Sequence, residues 1–260
     1  MLEDLCNSIK SHESALVALS GGVDSSVVAA LANRALGDNA VAVTIDNGLL
    51  GIGDLERASN VAAEVGIRHL LINANPLSVP EVKRNDPERC YHCKKFIFRS
   101  LKRIADELCL KVVMDGTNAS DLKEYRPGIK ALREFGIVSP LIHLTKKEIR
   151  ELARELGLQV ANTPSAACLL TRFPYHTDIT HEMLERVRKA EAIFKSFGFA
   201  QVRVRDHGGI ARIEIEEEDY ARVLEQAESL SEILRTLGFT YVTLDLQGFQ
   251  SGSMDRGKHR

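Results

Sequence analysis

Three stretches carry side chains whose types and spacing could do chemistry. The first is Ser20-Gly21-Gly22-Val23-Asp24-Ser25-Ser26, which follows an apolar run and opens a helical one. Paired glycines let the backbone turn tightly and aim several N–H groups one way. The helix that follows adds the positive end of its dipole. Hydroxyls on Ser20, Ser25 and Ser26 could donate to phosphate oxygens. Asp24 alone would repel phosphate, so it implies a bound Mg2+. The loop lacks the Gly-Lys-Ser/Thr ending of a Walker A motif, so no lysine of its own reaches a γ-phosphate.

The second stretch is Arg89-Cys90-Tyr91-His92-Cys93-Lys94-Lys95, with Asp86-Pro87-Glu88 as the cap signal before it. Cysteines at i and i+3 share a helix face. A single C-x-x-C is half a zinc site, so packing of the helix base and metal or cluster binding both stay open. The third is Pro164-Ser165-Ala166-Ala167-Cys168-Leu169-Leu170-Thr171-Arg172, an aperiodic run of small residues. Cys168 could be a nucleophile if Arg172 favours its thiolate. A small buried hydrophobe is the commoner fate of such a cysteine. Cys6 and Cys109 fall in helical stretches and read as packing.

The elements that must position these groups alternate through the first half. Ala15–Ser20, Ala40–Ile45, His69–Ile72 and Lys111–Met114 read as strands, and Val138–Leu141 as a short extended segment. Val27–Leu36, Leu55–Val65, Arg89–Leu108 and Lys146–Leu156 read as helices between and after them. The pattern implies an α/β fold, a parallel sheet with helices on both faces, its strands buried. Ligands then meet the carboxyl ends of the strands. There lie Asp46-Asn47-Gly48 and Asp115-Gly116-Thr117-Asn118, with Asp121, Tyr125 and Arg126 just beyond. Ordinary turn chemistry also favours Asp, Asn and Gly. A sheet edge shared with the glycine loop favours a nucleotide-site role for Asp46, Gly116 and Thr117.

After about Gly157 the pattern changes. A helix over His181–Phe197 precedes two alternating segments, Ala200–Arg205 and Arg212–Ile215; a helix over Asp219–Leu237 and a strand over Tyr241–Leu246 follow. This predicts a small C-terminal α+β domain with an antiparallel sheet. The expected division is 1–160 for ATP binding and 161–260 for substrate binding and assembly.

Composition bounds the partners. The 260 residues carry 34 Lys+Arg against 36 Asp+Glu, a net charge of −2. That leaves no basic footprint for nucleic acid. No apolar run approaches the length of a membrane span, and the N-terminus is polar, so a cytoplasmic protein is expected. Five cysteines, an odd count, do not read as a disulfide framework.

The glycine loop resembles the PP-loop of the ATP pyrophosphatases. Further motifs, RCYHCKK, DGTNASDLKEYRPG, TKKEIRELARELGL, PSAACLLTRFPY, QVRVRDHG and LDLQGFQSGSMD, are similar to those of the LarE-type ATP-dependent sacrificial sulfur transferases. That resemblance runs nearly end to end. It implies that ATP, with Mg2+ on Asp24, adenylates a carboxylate of pyridinium-3,5-biscarboxylic acid mononucleotide. Cys168 then attacks to give a thioester, and its C–S bond breaks by elimination. The products are a thiocarboxylate, precursor of the nickel-pincer nucleotide of lactate racemase, and a dehydroalanine. The protein would be a reactant, used once.

The same resemblance implies substrate contacts from Arg172, Arg203, Arg205, Asp121 and Arg126, and acidic metal-site positions at Glu191 and Glu214. Lys94, Lys95 or His92 could serve as the eliminating base. Arg203 and Arg205 alternate with Val202 and Val204, so a solvated strand face is open for them, as a surface charge is for Glu191 and Glu214. Homo-oligomers, hexamers in the family, and other proteins of nickel-pincer synthesis are implied partners.

Four rivals remain at this point. Cys90, Cys93 and Cys168 could hold a 4Fe–4S cluster that carries sulfur. A PP-loop tRNA thiolase would need a basic surface. An amide-forming synthetase would need a source of ammonia. A non-catalytic nucleotide sensor would not need Cys168.

Overall fold

The computed structural model describes residues 1–122, 128–163, 167–250 and 253–254. Tyr125 and Arg126, and Pro164-Ser165-Ala166 ahead of Cys168, lie outside the described residues. Packing divides the chain into two units, Met1–Val82 with Glu88–Ala166, and Lys83–Pro87 with Ala167–Arg260.

In the first unit the chain runs α1 (Leu2–Lys10), β1 (Ala15–Ala18), α2 (Val23–Leu36), β2 (Ala40–Asp46), α3 (Asp54–Val65) and β3 (Arg68–Asn73). It continues with the short α4 (Pro80–Lys83), then α5 (Arg89–Glu107), β4 (Val112–Met114), α6 (Ala119–Leu122), α7 (Gly128–Glu134) and α8 (Lys146–Glu155). The strands form a parallel sheet in the order β3-β2-β1-β4. A parallel bridge from Met114 to Val138 extends it by one position.

Alternation along β1 builds two cores. Val17 packs with Val27 and Leu31 of α2, Val61 of α3 and Leu152 of α8. Leu16 faces the other way, onto Phe98 and Leu101 of α5 and Leu132 of α7. β1 and β2 are buried as expected. β3 is not: it lies at the sheet edge with a single neighbour, and Leu71 is 52% exposed. The start of α8 is fixed by a capping box, in which Thr145 and Glu148 satisfy each other's backbone N–H groups.

The second unit holds α9 (His181–Ser196), β5 (Val202–Asp206), β6 (Ile210–Ile215), α10 (Tyr220–Glu225), α11 (Ala227–Thr236) and β7 (Tyr241–Leu244). β5 and β6 are antiparallel, but β7 joins β6 in parallel, so the expected antiparallel sheet is a mixed one. The reason is the connection: α10 and α11 cross over and return the chain in the direction of β6. The single helix expected over Asp219–Leu237 breaks at Gln226, whose φ of −105° and ψ of 11° leave the helical region. Lys83–Pro87 packs with this unit through Asn85, whose side-chain amide donates to the carbonyls of Phe173 and Pro174 (3.1 and 2.8 Å).

Candidate functional site

The glycine loop joins β1 to α2 at the carboxyl end of the sheet. Gly21 has φ +75°, and a Cβ there would lie 2.9 Å from the backbone nitrogen of Ala58, so only glycine lets α3 approach this closely. The loop holds its own shape. Ser25 Oγ bonds Ser20 N (3.1 Å) and Ser20 Oγ (3.0 Å), and Ser26 Oγ donates to the Gly22 carbonyl (2.8 Å). Ser25 and Ser26 are buried and Ser20 is exposed. The three hydroxyls expected to meet phosphate therefore divide: Ser26 anchors the turn, Ser25 braces it, and Ser20 faces outward. Val23 sits in the core and offers its backbone N–H only.

Gly116 is brought against this loop. A Cβ at Gly116 would lie 2.7 Å from Ser25 N and 2.8 Å from the Asp24 carbonyl carbon. Thr117 is also here, but its hydroxyl donates to buried Asp115 (2.6 Å), which also accepts from Ser139 Oγ (2.6 Å). Asp46 ends β2 and accepts from Gly48 N (3.2 Å). Asp121 accepts from Asn118 N (3.2 Å), which closes the turn into α6.

One residue that the sequence reading did not single out is also here. Lys146, the first residue of α8, forms an ion pair with Asp24 through Nζ and Oδ2. The other oxygen, Oδ1, is buried and has no hydrogen-bond partner among the described residues. An orphaned carboxylate oxygen at a helix N-terminus fits Mg2+, which takes one or two carboxylates alongside substrate phosphates.

In the second unit the segment after Cys168 is a short 3-10 turn, Leu169–Arg172. Cys168 is exposed, whereas Leu169, Leu170 and Arg172 are buried. The Cys168 carbonyl accepts from Thr171 N (3.0 Å), Thr171 Oγ1 (2.8 Å) and Arg172 Nη1 (3.4 Å). Arg172 grips Glu191 of α9 in bidentate fashion, at 2.7 and 3.1 Å, and Glu191 also accepts from Val204 N (3.1 Å). Arg205 donates to the Thr171 carbonyl (2.8 Å) and to Glu214 (2.7 Å). Glu214 accepts as well from Arg212 (2.8 Å) and Ser253 (2.6 Å).

These contacts change two expectations. Arg205 is not on a solvated face: it is buried, with its guanidinium held by the Thr171 carbonyl of the 3-10 turn and by Glu214. Glu191 and Glu214 do not fit a metal here, because arginines and other donors already fill both oxygens of each. Arg203 differs from its neighbours. It donates to the Val202 carbonyl (2.8 Å) and lies over the ring of Phe249 (5.3 Å), and among the described residues it makes no ion pair. Burial, and then the charge of Arg172, pull its pKa below the ordinary value, yet a guanidinium stays charged. It is a half-buried cation suited to an anion.

Cys90 and Cys93 occupy the first turn of α5, exposed and half-buried respectively. Among the described residues no three His, Cys, Asp or Glu side chains are arranged to hold a metal ion. Of the three candidate bases, Lys95 is held by Tyr91 Oη (3.1 Å) and Glu134 (3.4 Å). The bond to Tyr91, then that to Glu134, raises its pKa and keeps the amine protonated, so less of it is free to take a proton. Lys94 packs its stem on Gly128, and His92 Nδ1 lies 3.9 Å from Glu81.

The NAD synthase family model matches residues 1–89, the part that holds the glycine loop. Over 254 residues the chain is 38% identical to the pyridinium-3,5-bisthiocarboxylic acid mononucleotide synthase of Lactiplantibacillus plantarum, covering 96% of this chain and 92% of that protein. The chain belongs to the pyridinium-3,5-bisthiocarboxylic acid mononucleotide synthase family. A protein of Synechocystis sp. described as uncharacterized is 42% identical over 98% of this chain and 97% of its own length. A glutamine-hydrolyzing GMP synthase chain of Methanothermobacter thermautotrophicus is 32% identical over 74% of this chain and 67% of that protein. The GMP synthase likeness is shorter than the two full-length ones. No helix among the described residues is long and apolar enough to cross a membrane.

Proposed function

We propose that this member of the synthase family is an ATP-dependent sulfur transferase acting on a carboxylate of pyridinium-3,5-biscarboxylic acid mononucleotide. The observation that carries the reading is Cys168: its side chain is exposed, its carbonyl accepts from Arg172 of one buried Arg–Glu pair, and Arg205 of a second holds the carbonyl of Thr171 three residues on. A nucleophile needs that combination, an accessible thiol on a backbone that does not drift.

In the proposed sequence the glycine loop binds the triphosphate, using backbone N–H groups, Ser20 Oγ and the N-terminus of α2. Asp24 would hold Mg2+, whose charge would neutralise the phosphates. A substrate carboxylate attacks the α-phosphorus and pyrophosphate leaves. The Cys168 sulfur then attacks the acyl carbon and AMP leaves. A base removes the Cα proton of Cys168, the Cβ–Sγ bond breaks, and the thiocarboxylate departs with the sulfur. Residue 168 becomes dehydroalanine, so each chain acts once. Arg203, with Arg172 and Arg205 behind it, is the group suited to the substrate phosphate.

Intact mass tests the reading. Protein incubated with ATP, Mg2+ and substrate should lose the elements of hydrogen sulfide, about 34 Da, in step with product. Cys168→Ala should release pyrophosphate but form no thiocarboxylate. Unchanged mass through many turnovers would exclude the sacrificial route, and loss of pyrophosphate release in the variant would make Cys168 structural.

A further inference from the structure

The two cysteines of α5 take no step in the proposed sulfur transfer. The helix meets the core through Tyr91, Ile97, Phe98, Leu101, Ile104 and Ala105. Among the described residues neither Cys90 nor Cys93 belongs to that core or to the one on the other face of the sheet. Both are thiols, Cys90 exposed and Cys93 half-buried. A thiol outside the core offers reactivity rather than packing.

Their spacing fixes which reaction is within reach. Both lie near the start of one helix, Arg89–Glu107, at i and i+3. That puts their Cα atoms about 5 Å apart on one face, inside the roughly 4.4–6.8 Å that disulfides span. Their Cβ atoms start about 5–6 Å apart and must close to about 3.5–4.5 Å. The start of a helix yields that much more readily than its middle, since its first N–H groups have no intrahelical acceptors. The resulting bridge is strained and exposed, two properties that make a disulfide easy to reduce. It also closes one of the shortest loops a disulfide can, where the gain in stability is smallest. This geometry suits a bridge that forms and opens rather than a staple.

We propose that Cys90 and Cys93 are a reversible dithiol–disulfide couple that exchanges with small-molecule disulfides. The exposed Cys90 sulfur loses its proton to solvent and attacks one sulfur of a disulfide such as glutathione disulfide, and the first glutathione leaves as its thiolate. The Cys93 sulfur, also deprotonated, then attacks Cys90 Sγ, and the second glutathione leaves. The pair is oxidised by two electrons and the glutathione disulfide is reduced to two thiols. The reverse sequence opens the bridge. The couple does not depend on the sulfur-transfer reading, because Cys168 has no part in it.

Wild-type protein equilibrated anaerobically with mixtures of glutathione and glutathione disulfide, quenched by alkylation and mapped by peptide mass, tests the proposal. The peptide that carries both cysteines should lose about 2 Da, two hydrogen atoms, and dithiothreitol should restore it. The oxidised fraction should follow one two-electron curve in the ratio of squared glutathione to glutathione disulfide. Cys93→Ser should instead retain glutathione on Cys90. Glutathione that stays on Cys90 in wild type would overturn the proposal. So would a bridge from either cysteine to Cys168, or no reaction at Cys90 and Cys93 while the exposed Cys109 is modified.

Discussion

The glycine loop and the cysteine segment solve one problem, holding a reactive stretch of backbone still, by opposite means. Apart from the Asp24–Lys146 pair at its end, the loop is held by neutral contacts. Serine hydroxyls bond nearby backbone, and two glycines let other backbone come within van der Waals distance. The cysteine segment is held by charge: Arg172 with Glu191, and Arg205 with Glu214, are all buried and reach the carbonyls of Cys168 and Thr171. The difference follows from what each must leave available. A phosphate loop must leave N–H donors for the ligand, so much of its bracing comes from serine hydroxyls, although Ser20 N and Gly22 N are spent on them. A nucleophilic cysteine needs only its thiol exposed, so its carbonyl can be fully engaged.

The largest effect should come from breaking the charge clamp. Arg172→Met leaves Glu191 buried without its partner, which costs about 3–5 kcal/mol in comparable buried pairs. Urea denaturation should show that loss, and sulfur transfer should disappear with it. The pairing can be separated from the grip on Cys168 by the double variant Arg172→Met/Glu191→Leu. Replacing both charges should recover much of the stability. It should not recover sulfur transfer, because nothing then donates to the Cys168 carbonyl from that side. Recovery of both would reduce the clamp to packing.

A smaller effect is expected from crowding the neutral loop. Gly116→Ala would put a methyl group 2.7 Å from Ser25 N and 2.9 Å from Asp24 Cβ. Those atoms belong to the start of α2 and cannot swing away, so overpacking should cost about 1–3 kcal/mol. ATP binding should weaken, whereas the rate at which Cys168 reacts with a small disulfide reagent should stay as in wild type. A changed thiol rate would show that the two regions are not independently braced.

The two regions also differ in how legible they were. The loop is local: apolar run, glycines, serines and helix follow one another, and α8 announces its start with Thr145 and Glu148. Gly116 could be placed from the rule that strand ends share an edge. Lys146 could not, since a lysine opening an amphipathic helix reads as a surface charge until the fold sets it beside Asp24. The cysteine clamp is non-local for the same reason. Arg172 and Glu191 are 19 residues apart on different elements, and the alternation of β5 suggested a solvated face for Arg205. Nor does sequence show that a crossover makes β7 parallel, or that Gln226 breaks the last long helix. Local chemistry fixes turns and caps, while pairings between distant charges depend on how the sheets and helices pack.

The smallest effect concerns the neutral side alone. Thr44 Oγ1 donates to the carbonyl of Leu19, the residue before the loop, and accepts from His69 Nε2 at 2.8 Å. This requires a proton on Nε2, which the neutral Nε2–H tautomer and the imidazolium both carry, and burial, which disfavours the charged form, pulls the His69 pKa below its ordinary 6.5. The folded protein therefore binds this proton less readily than the unfolded chain does. Stability from His69 is complete above pH 6.5 and falls as the pH drops through and below that value. His69→Gln keeps an N–H donor for Thr44 and removes the titration. Urea midpoints between about pH 8 and 5 should fall slightly less steeply in the variant than in wild type. An identical slope would mean that His69 titrates alike in both states and gives the loop's support no sensitivity to acid.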